Sequence, residues 1–171
     1  KIWHHIDAAY AGVILFLEEY KHNAKYIKNA DSFVFNPHKW MLTNFDCSLY
    51  FAKDKEKLIK ALEIHPEYLK SEESKINNYK DWSLQLGRRF RALKLWFVIR
   101  SYGLKGIKKY IKNHISLAIY LYKRISKNKN FELTTELNVN MINFRLNPKF
   151  KNLSNKQLDS LNKKLINNLN K

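Results

Sequence analysis

Apolar residues along this chain change their period several times, and each change predicts an element. IWHHID over residues 2–7 reads as a short buried strand running into an acid, and AAYAG supplies small residues where the backbone then turns. DSFVFN at 31–36 is a second β-rich run stopped by Pro37, and CSLYFA at 47–52 is a third, with NPHKW expected as a loop between them. Asp54 stands as an N-cap ahead of Leu58, Ala61 and Leu62 at helical spacing, while 63–80 is polar, contains a proline and has no period, the pattern of a mobile loop. From Arg89 to Tyr102, Phe90, Leu93 and Phe97 with Leu95, Val98 and Ile99 predict a long, mostly buried helix, and after Gly103 another helix is expected over 104–126. NVNMINFRL at 138–146 alternates like a half-buried strand, and Leu158, Leu161, Leu165 and Leu169 form one helical stripe over 154–170. Strands alternating with helices indicate an α/β class with an α+β tail.

Length and composition narrow this picture. A chain of 171 residues with 45% hydrophobic residues, four glycines and three prolines can bury a real core, in one to two units. The opening KIWHHIDAAYAG has no basic-then-apolar signal segment, and the single Cys47 has no cysteine partner, so a cytoplasmic protein without membrane insertion is expected. The net charge of +17 raises nucleic acid as a partner, but the lysines are spread along the chain and mixed with Asn and Ile. A non-catalytic basic fragment that binds nucleic acid or an anionic surface remains the alternative from a different class. A metal site is not expected, because His4 and His5, adjacent in a strand, point to opposite faces, and His5 is then a neighbour of Asp7.

The candidate chemistry centres on Lys39. By itself a lysine after a strand is a surface charge, but Asp7 ends one strand, Lys39 follows another, and Ser32, Asn36 and His38 lie close by with hydrogen-bonding capacity suited to a phosphate. Pyridoxal phosphate requires such a set: an amine for its aldehyde, a carboxylate for its ring nitrogen and several donors for its phosphate.

The segments HIDAAYAG, NADSFVFNPHKW, NFDCS, LGRRFRALKLWF and YGLKGIKKYIKNH resemble the group II aromatic-L-amino-acid decarboxylases, over residues 1 to about 148. The resemblance implies a fold-type I transferase, with residues 1–93 the C-terminal part of the large cofactor-binding domain and 94–171 part of the small α+β domain. It implies that Lys39 carries pyridoxal 5′-phosphate as a Schiff base, that Asp7 pairs with the ring nitrogen, that Ala9 packs beneath the ring, and that Ser32, Asn36 and His38 hold the phosphate. Tyr68, in HPEYLK, falls at the family's catalytic-loop tyrosine and would be the general acid. Trp40, Phe45 and Leu86 correspond to positions near the substrate's aromatic ring; Gly87 and His38 stand where histidine-specific relatives carry serine, and glycine there leaves room for a bulky ring. The implied activity is decarboxylation of an aromatic L-amino acid by a protein that is homodimeric when complete, with this chain a fragment of it. The near rival is an aldehyde synthase, in which the resemblance implies either phenylalanine for the loop tyrosine or asparagine for the ring-stacking histidine, a position not in this sequence. Arg88, Arg89, Arg91 and Lys94 read as helix surface and domain-junction pairing.

Overall fold

The computed structural model describes residues 2–63, 79–148 and 151–171, and divides the chain into two compact units, Lys1–Lys108 and Lys109–Lys171. In the first unit, strands β1 (His5–Asp7), β2 (Ser32–Phe35) and β3 (Leu49–Ala52) form a sheet in that order. Each expected strand is present but shorter than its apolar run. β1 runs parallel to β2, with Asp7 opposite Val34, and β2 runs antiparallel to β3, with Phe35 opposite Leu49. A parallel pair needs a crossover. It is made by two 3-10 segments, Ala11–Phe16 and Glu18–Asn23, and a single α-turn α1 (Ala24–Ile27).

Strand alternation then sorts the residues. Phe33 and Phe35 face the crossover, where Val13 and Leu17 are buried and Phe16 meets Phe35 edge-on at 6.5 Å. His5, Asp7, Ser32 and Tyr50 share the other face, and His5 stacks on Tyr50 with ring centroids 5.8 Å apart. Gly12 lets the crossover press onto β2: a Cβ there would collide with the Phe35 Cβ and sit 3.0 Å from its Cγ.

NPHKW differs from the loop expected of it. Pro37–Trp40 make one helical turn, α2, because a proline at the first helical position costs no hydrogen bond and presets φ. Helix α3 (Lys55–Leu62) starts as anticipated, with the Asp54 carboxylate accepting from the Lys57 amide.

Helix α4 (Arg91–Ser126) is interrupted at Gly103, whose φ of +59° breaks it where the sequence predicts a break. Its first half is not buried as expected: Phe90 just ahead of it is 74% exposed, Trp96 53% and Phe97 55%. Apolar periodicity identifies a face that can be covered, not what covers it. In the second unit, Ile111, Ala118 and Ile125 form the buried stripe of the continuing helix. Beside them strands β4 (Phe131–Leu133) and β5 (Phe144–Leu146) pair antiparallel. The strand expected over 138–146 is therefore only its last three residues. Asn138 and Met141 close a tight turn instead, with the Met141 amide donating to the Asn138 carbonyl at 2.8 Å, consistent with the turn preference of asparagine. Helix α5 (Asn155–Leu169) opens on a capping box between Ser154 and Gln157. Its Asn162 side chain accepts from the Leu146 amide at 2.8 Å and donates to the Leu146 carbonyl at 3.0 Å, so the helix satisfies the β5 backbone. Of the leucine stripe, Leu158 is buried and Leu169 is exposed.

Candidate active site

Two loops leave neighbouring parallel strands at their carboxyl ends and are tied together there. The Ala8 amide donates to Val34 O at 2.9 Å, and the Asn36 amide donates to Ala9 O at 2.9 Å. Asp7, the last residue of β1, is exposed and accepts from the Ala9 amide through Oδ1 at 2.9 Å. Its second oxygen has no hydrogen-bond donor among the described residues. Lys39 lies on α2, directly after β2, with its amide donating to Asn36 O at 2.9 Å. Its side chain is exposed, and its amine has no ion-pair or hydrogen-bond partner among the described residues.

A strap at 45–48 lies against this turn. His38 Nδ1 is 2.9 Å from the Cys47 amide nitrogen and 2.6 Å from the Cys47 carbonyl oxygen, so the ring is held by Cys47 in either tautomer. Ser48 Oγ donates to Asn36 Oδ1 at 2.7 Å, which leaves the Asn36 Nδ2 free to donate elsewhere. Phe45 is 83% exposed and meets the His38 ring edge-on at 4.9 Å. Burial raises the Cys47 thiol above its ordinary pKa, so it is a packing group here and not a thiolate nucleophile.

Of the residues singled out from the sequence, Asp7, Ala9, Asn36, His38 and Lys39 come together at the ends of β1 and β2. Ser32 does not. It begins β2, roughly 10 Å of strand away from Phe35, and its buried hydroxyl accepts from Trp3 Nε1 at 2.8 Å and contacts His5 Nδ1 at 2.7 Å. His5 therefore bonds to Ser32 while sharing a strand face with Asp7. Trp40 is 3% exposed and stacks flat on Tyr10, 5.1 Å between centroids. Leu86 and Gly87 sit on an exposed loop, with nothing within 4 Å of a Cβ built on Gly87. Tyr68 lies outside the described residues, as does nearly all of the polar 63–80 stretch.

A cleft of about 380 Å³ adjoins the lysine turn, lined by His38, Phe45, Ser48, Ser83, Gln85 and Arg88 among others. The cationic run Arg89, Arg91 and Lys94 converges on Asp46 beside it, and the hydrogen bond from Arg91 holds the Asp46 carboxyl below its usual pKa. Arg88 instead donates to Tyr79 O at 3.0 Å and Ser83 Oγ at 2.7 Å. The roles of Asp46, Cys47 and Ser48 have no local signature. NFDCS is visible as a motif, but the partners of Asp46 lie more than forty residues further on.

These groups suit pyridoxal phosphate. They offer an unengaged amine, a carboxylate with a free oxygen, a methyl at Ala9 between them in sequence, and the Asn36 amide and His38 ring nitrogen as donors. The chain belongs to the pyridoxal-dependent decarboxylase family, whose conserved-domain model matches residues 1–147. Phenylacetaldehyde synthase of Arabidopsis thaliana is 46% identical over 170 residues, 94% of this chain and 35% of that protein. Tryptophan decarboxylase 2 of Oryza sativa is 46% identical over 150 residues, 86% of this chain and 30% of that protein. The crystal structure of Oryza sativa TDC with PLP and tryptamine superposes with a TM-score of 0.89 at 32% identity, covering 98% of this chain and 35% of that one. The fold is accordingly α/β, that of the fold-type I pyridoxal-phosphate decarboxylases. The chain spans about a third of the length of the curated relatives it matches.

Proposed function

We propose that the protein converts an aromatic L-amino acid to the corresponding amine and carbon dioxide, with pyridoxal 5′-phosphate held covalently on Lys39. The observation that carries this reading is the unengaged Lys39 amine at the end of β2, tied through the Asn36–Ala9 bond to the loop that starts with Asp7. When bound, the cofactor's ring draws off the electrons left on carbon as carbon dioxide departs. Asp7 then keeps a proton on the ring nitrogen through its free oxygen, and Ala9 packs against the ring. Asn36 Nδ2 and His38 donate to the phosphate. Ser32 supports the strand instead, through Trp3 and His5. Tyr68 delivers the proton that completes the amine, and Phe45 offers an exposed ring beside His38 for an aromatic substrate. Trp40 contributes through Tyr10, and Leu86 and Gly87 leave an open loop for the rest of the substrate.

Residues 1–93 serve as part of the large cofactor domain and 94–171 as part of the small one, in a homodimer. A cytoplasmic setting belongs to the same proposal, supported by Cys47 being a free thiol. Among the described residues no helix is long and apolar enough to cross a membrane.

The second reading is an aromatic aldehyde synthase. It is favoured by the Arabidopsis relative, which is as similar as the rice decarboxylase. Tyr68 supports the decarboxylase, since the resemblance places phenylalanine there in one form of the aldehyde-forming branch, the other form being marked at a histidine position not in this sequence.

Borohydride reduction of the protein loaded with pyridoxal phosphate, followed by peptide mapping, tests the assignment. The expected result is a single modified residue, Lys39, lost in Lys39→Ala. Modification of another lysine in the wild type would overturn it.

A further inference from the structure

We propose that Asp46 is a positioning residue for the lysine turn: anchored by Arg89, Arg91 and Lys94, it fixes the strap whose Cys47 backbone and Ser48 hydroxyl set His38 and Asn36, the two polar side chains just ahead of Lys39. The inference rests on reading residues 36–39 as the cofactor site.

The two Asp46 oxygens are divided among the cations. Oδ2 accepts from Arg91 Nε at 2.9 Å, and Oδ1 accepts from Arg89 Nη2 at 3.0 Å with Lys94 Nζ at 3.8 Å. The side chains of Asp46, Arg91 and Lys94 retain only 26%, 29% and 30% of their exposure, so these pairs are screened less than an open surface pair, whereas Arg89 is exposed. Two of the three cations also donate hydrogen bonds to the carboxylate, which fixes its orientation as well as its position. The lowered pKa of Asp46 agrees with that geometry.

Among the described residues the Asp46 carboxylate pairs with Arg89, Arg91 and Lys94 and not with Lys39, and its effect passes through its neighbours. Cys47 is 2% exposed, and both its amide and its carbonyl face His38 Nδ1. Ser48 holds the Asn36 carboxamide oxygen. On the other side Phe45 contacts the His38 ring. Phe45, Cys47 and Ser48, around Asp46 in sequence, thus hold the two polar side chains that precede the lysine. Neutralising the carboxylate leaves three cations facing one another without their shared anion, and their repulsion moves the strap.

The test reads His38 and not turnover. In the full chain labelled with nitrogen-15, the His38 ring nitrogens should report a hydrogen-bonded Nδ1 distinct from a free imidazole, because Nδ1 is held by the Cys47 backbone in either tautomer. In Asp46→Asn the same signals should shift toward those of a free, tautomer-averaged imidazole, while the His22 signals stay in place. Arg91→Gln should move His38 in the same direction without altering the strap's own sequence, and it serves if Asp46→Asn fails to fold. Asp46→Glu should recover part of the wild-type shift. Unmoved His38 signals in a folded Asp46→Asn or Arg91→Gln chain would overturn the proposal, as would His22 moving as far as His38. The readout needs no pyridoxal phosphate. Borohydride labelling away from Lys39 would therefore remove the functional reading while the His38 shift still supported the positioning role. Normal Lys39 labelling with static His38 signals would remove the positioning role alone.

Discussion

The backbone amide of Asn36 donates to the carbonyl of Ala9 at 2.9 Å, and through this bond the loop after Asp7 and the turn bearing Lys39 are set beside each other. Both ends of the bond are main-chain atoms, so side-chain substitutions at Asp7 and Lys39 leave it in place. Chemistry and architecture can therefore be separated by mutation.

Asp7→Asn is expected to bind pyridoxal phosphate and to lose most activity, because an uncharged amide does not keep the ring nitrogen protonated. The Ala9 turn bond is kept, since the amide oxygen of asparagine can accept in place of the carboxylate Oδ1. The check is cofactor absorbance alongside amine formation. Near-normal rates in this variant would place the ring-nitrogen partner elsewhere.

Tyr68→Phe removes a phenolic proton donor and nothing larger. The product should shift from amine toward aldehyde, with oxygen consumed and peroxide, ammonia and carbon dioxide released, because slowed protonation at carbon leaves time for oxygen to react there. The amine-to-aldehyde ratio decides it. An unchanged ratio at an unchanged rate would make Tyr68 a spectator.

Gly12→Ala should destabilise the first unit by about 1–3 kcal/mol, the range for forcing a methyl into packed surroundings. The added carbon meets the Phe35 Cβ, which is fixed by the strand backbone, and it lies 3.3 Å from Phe33 Cζ, which is not. Urea unfolding midpoints of the two chains measure the difference, and equal midpoints would contradict the packing argument. Alanine at Gly87 is expected to cost far less, since nothing lies within reach of its Cβ.

Acid should weaken the fold in a defined window. Hydrogen bonds from Arg91 to Asp46, from Lys21 and Lys108 to Glu18, and from Lys57 to Asp54 lower all three carboxyl pKa values. Each group then contributes stability that is complete above the unfolded carboxylate range, about pH 4. As pH falls through that range the unfolded chain takes up protons first, and the contribution disappears as the lowered native pKa values are reached. Unfolding midpoints between about pH 6 and pH 2 should therefore fall, with a shallower slope in Asp46→Asn. Parallel slopes would mean that the Asp46 cluster contributes nothing to folding.

Much of the first unit is legible in the order of residues. Three short apolar runs, a proline after the second and an N-cap aspartate define three strands and a helix, because these preferences act within a few residues. The Gly103 break was legible for the same reason: only glycine accepts that φ readily. The placement of Asp7 and Lys39 at one sheet edge was also within reach, since one ends a strand, the other follows one, and parallel neighbours deliver their carboxyl ends to one edge.

What the sequence alone could not determine depends on distant partners. Ser32 is a polar residue beside a phosphate-like motif, yet the β1–β2 register places it against His5 at the far end of the strand. The apolar stripe around Trp96 and Phe97 has helical spacing but stays exposed, since spacing is a local property and coverage is not. Residues 138–146 alternate like a strand, but the turn at 138–141 and pairing with β4 leave only Phe144–Leu146 extended. Lys39 itself is chosen by local sequence. The geometry around it is decided by tertiary structure, because the Asp46 carboxylate that steadies its neighbours takes its cations from Arg89, Arg91 and Lys94, far along the chain.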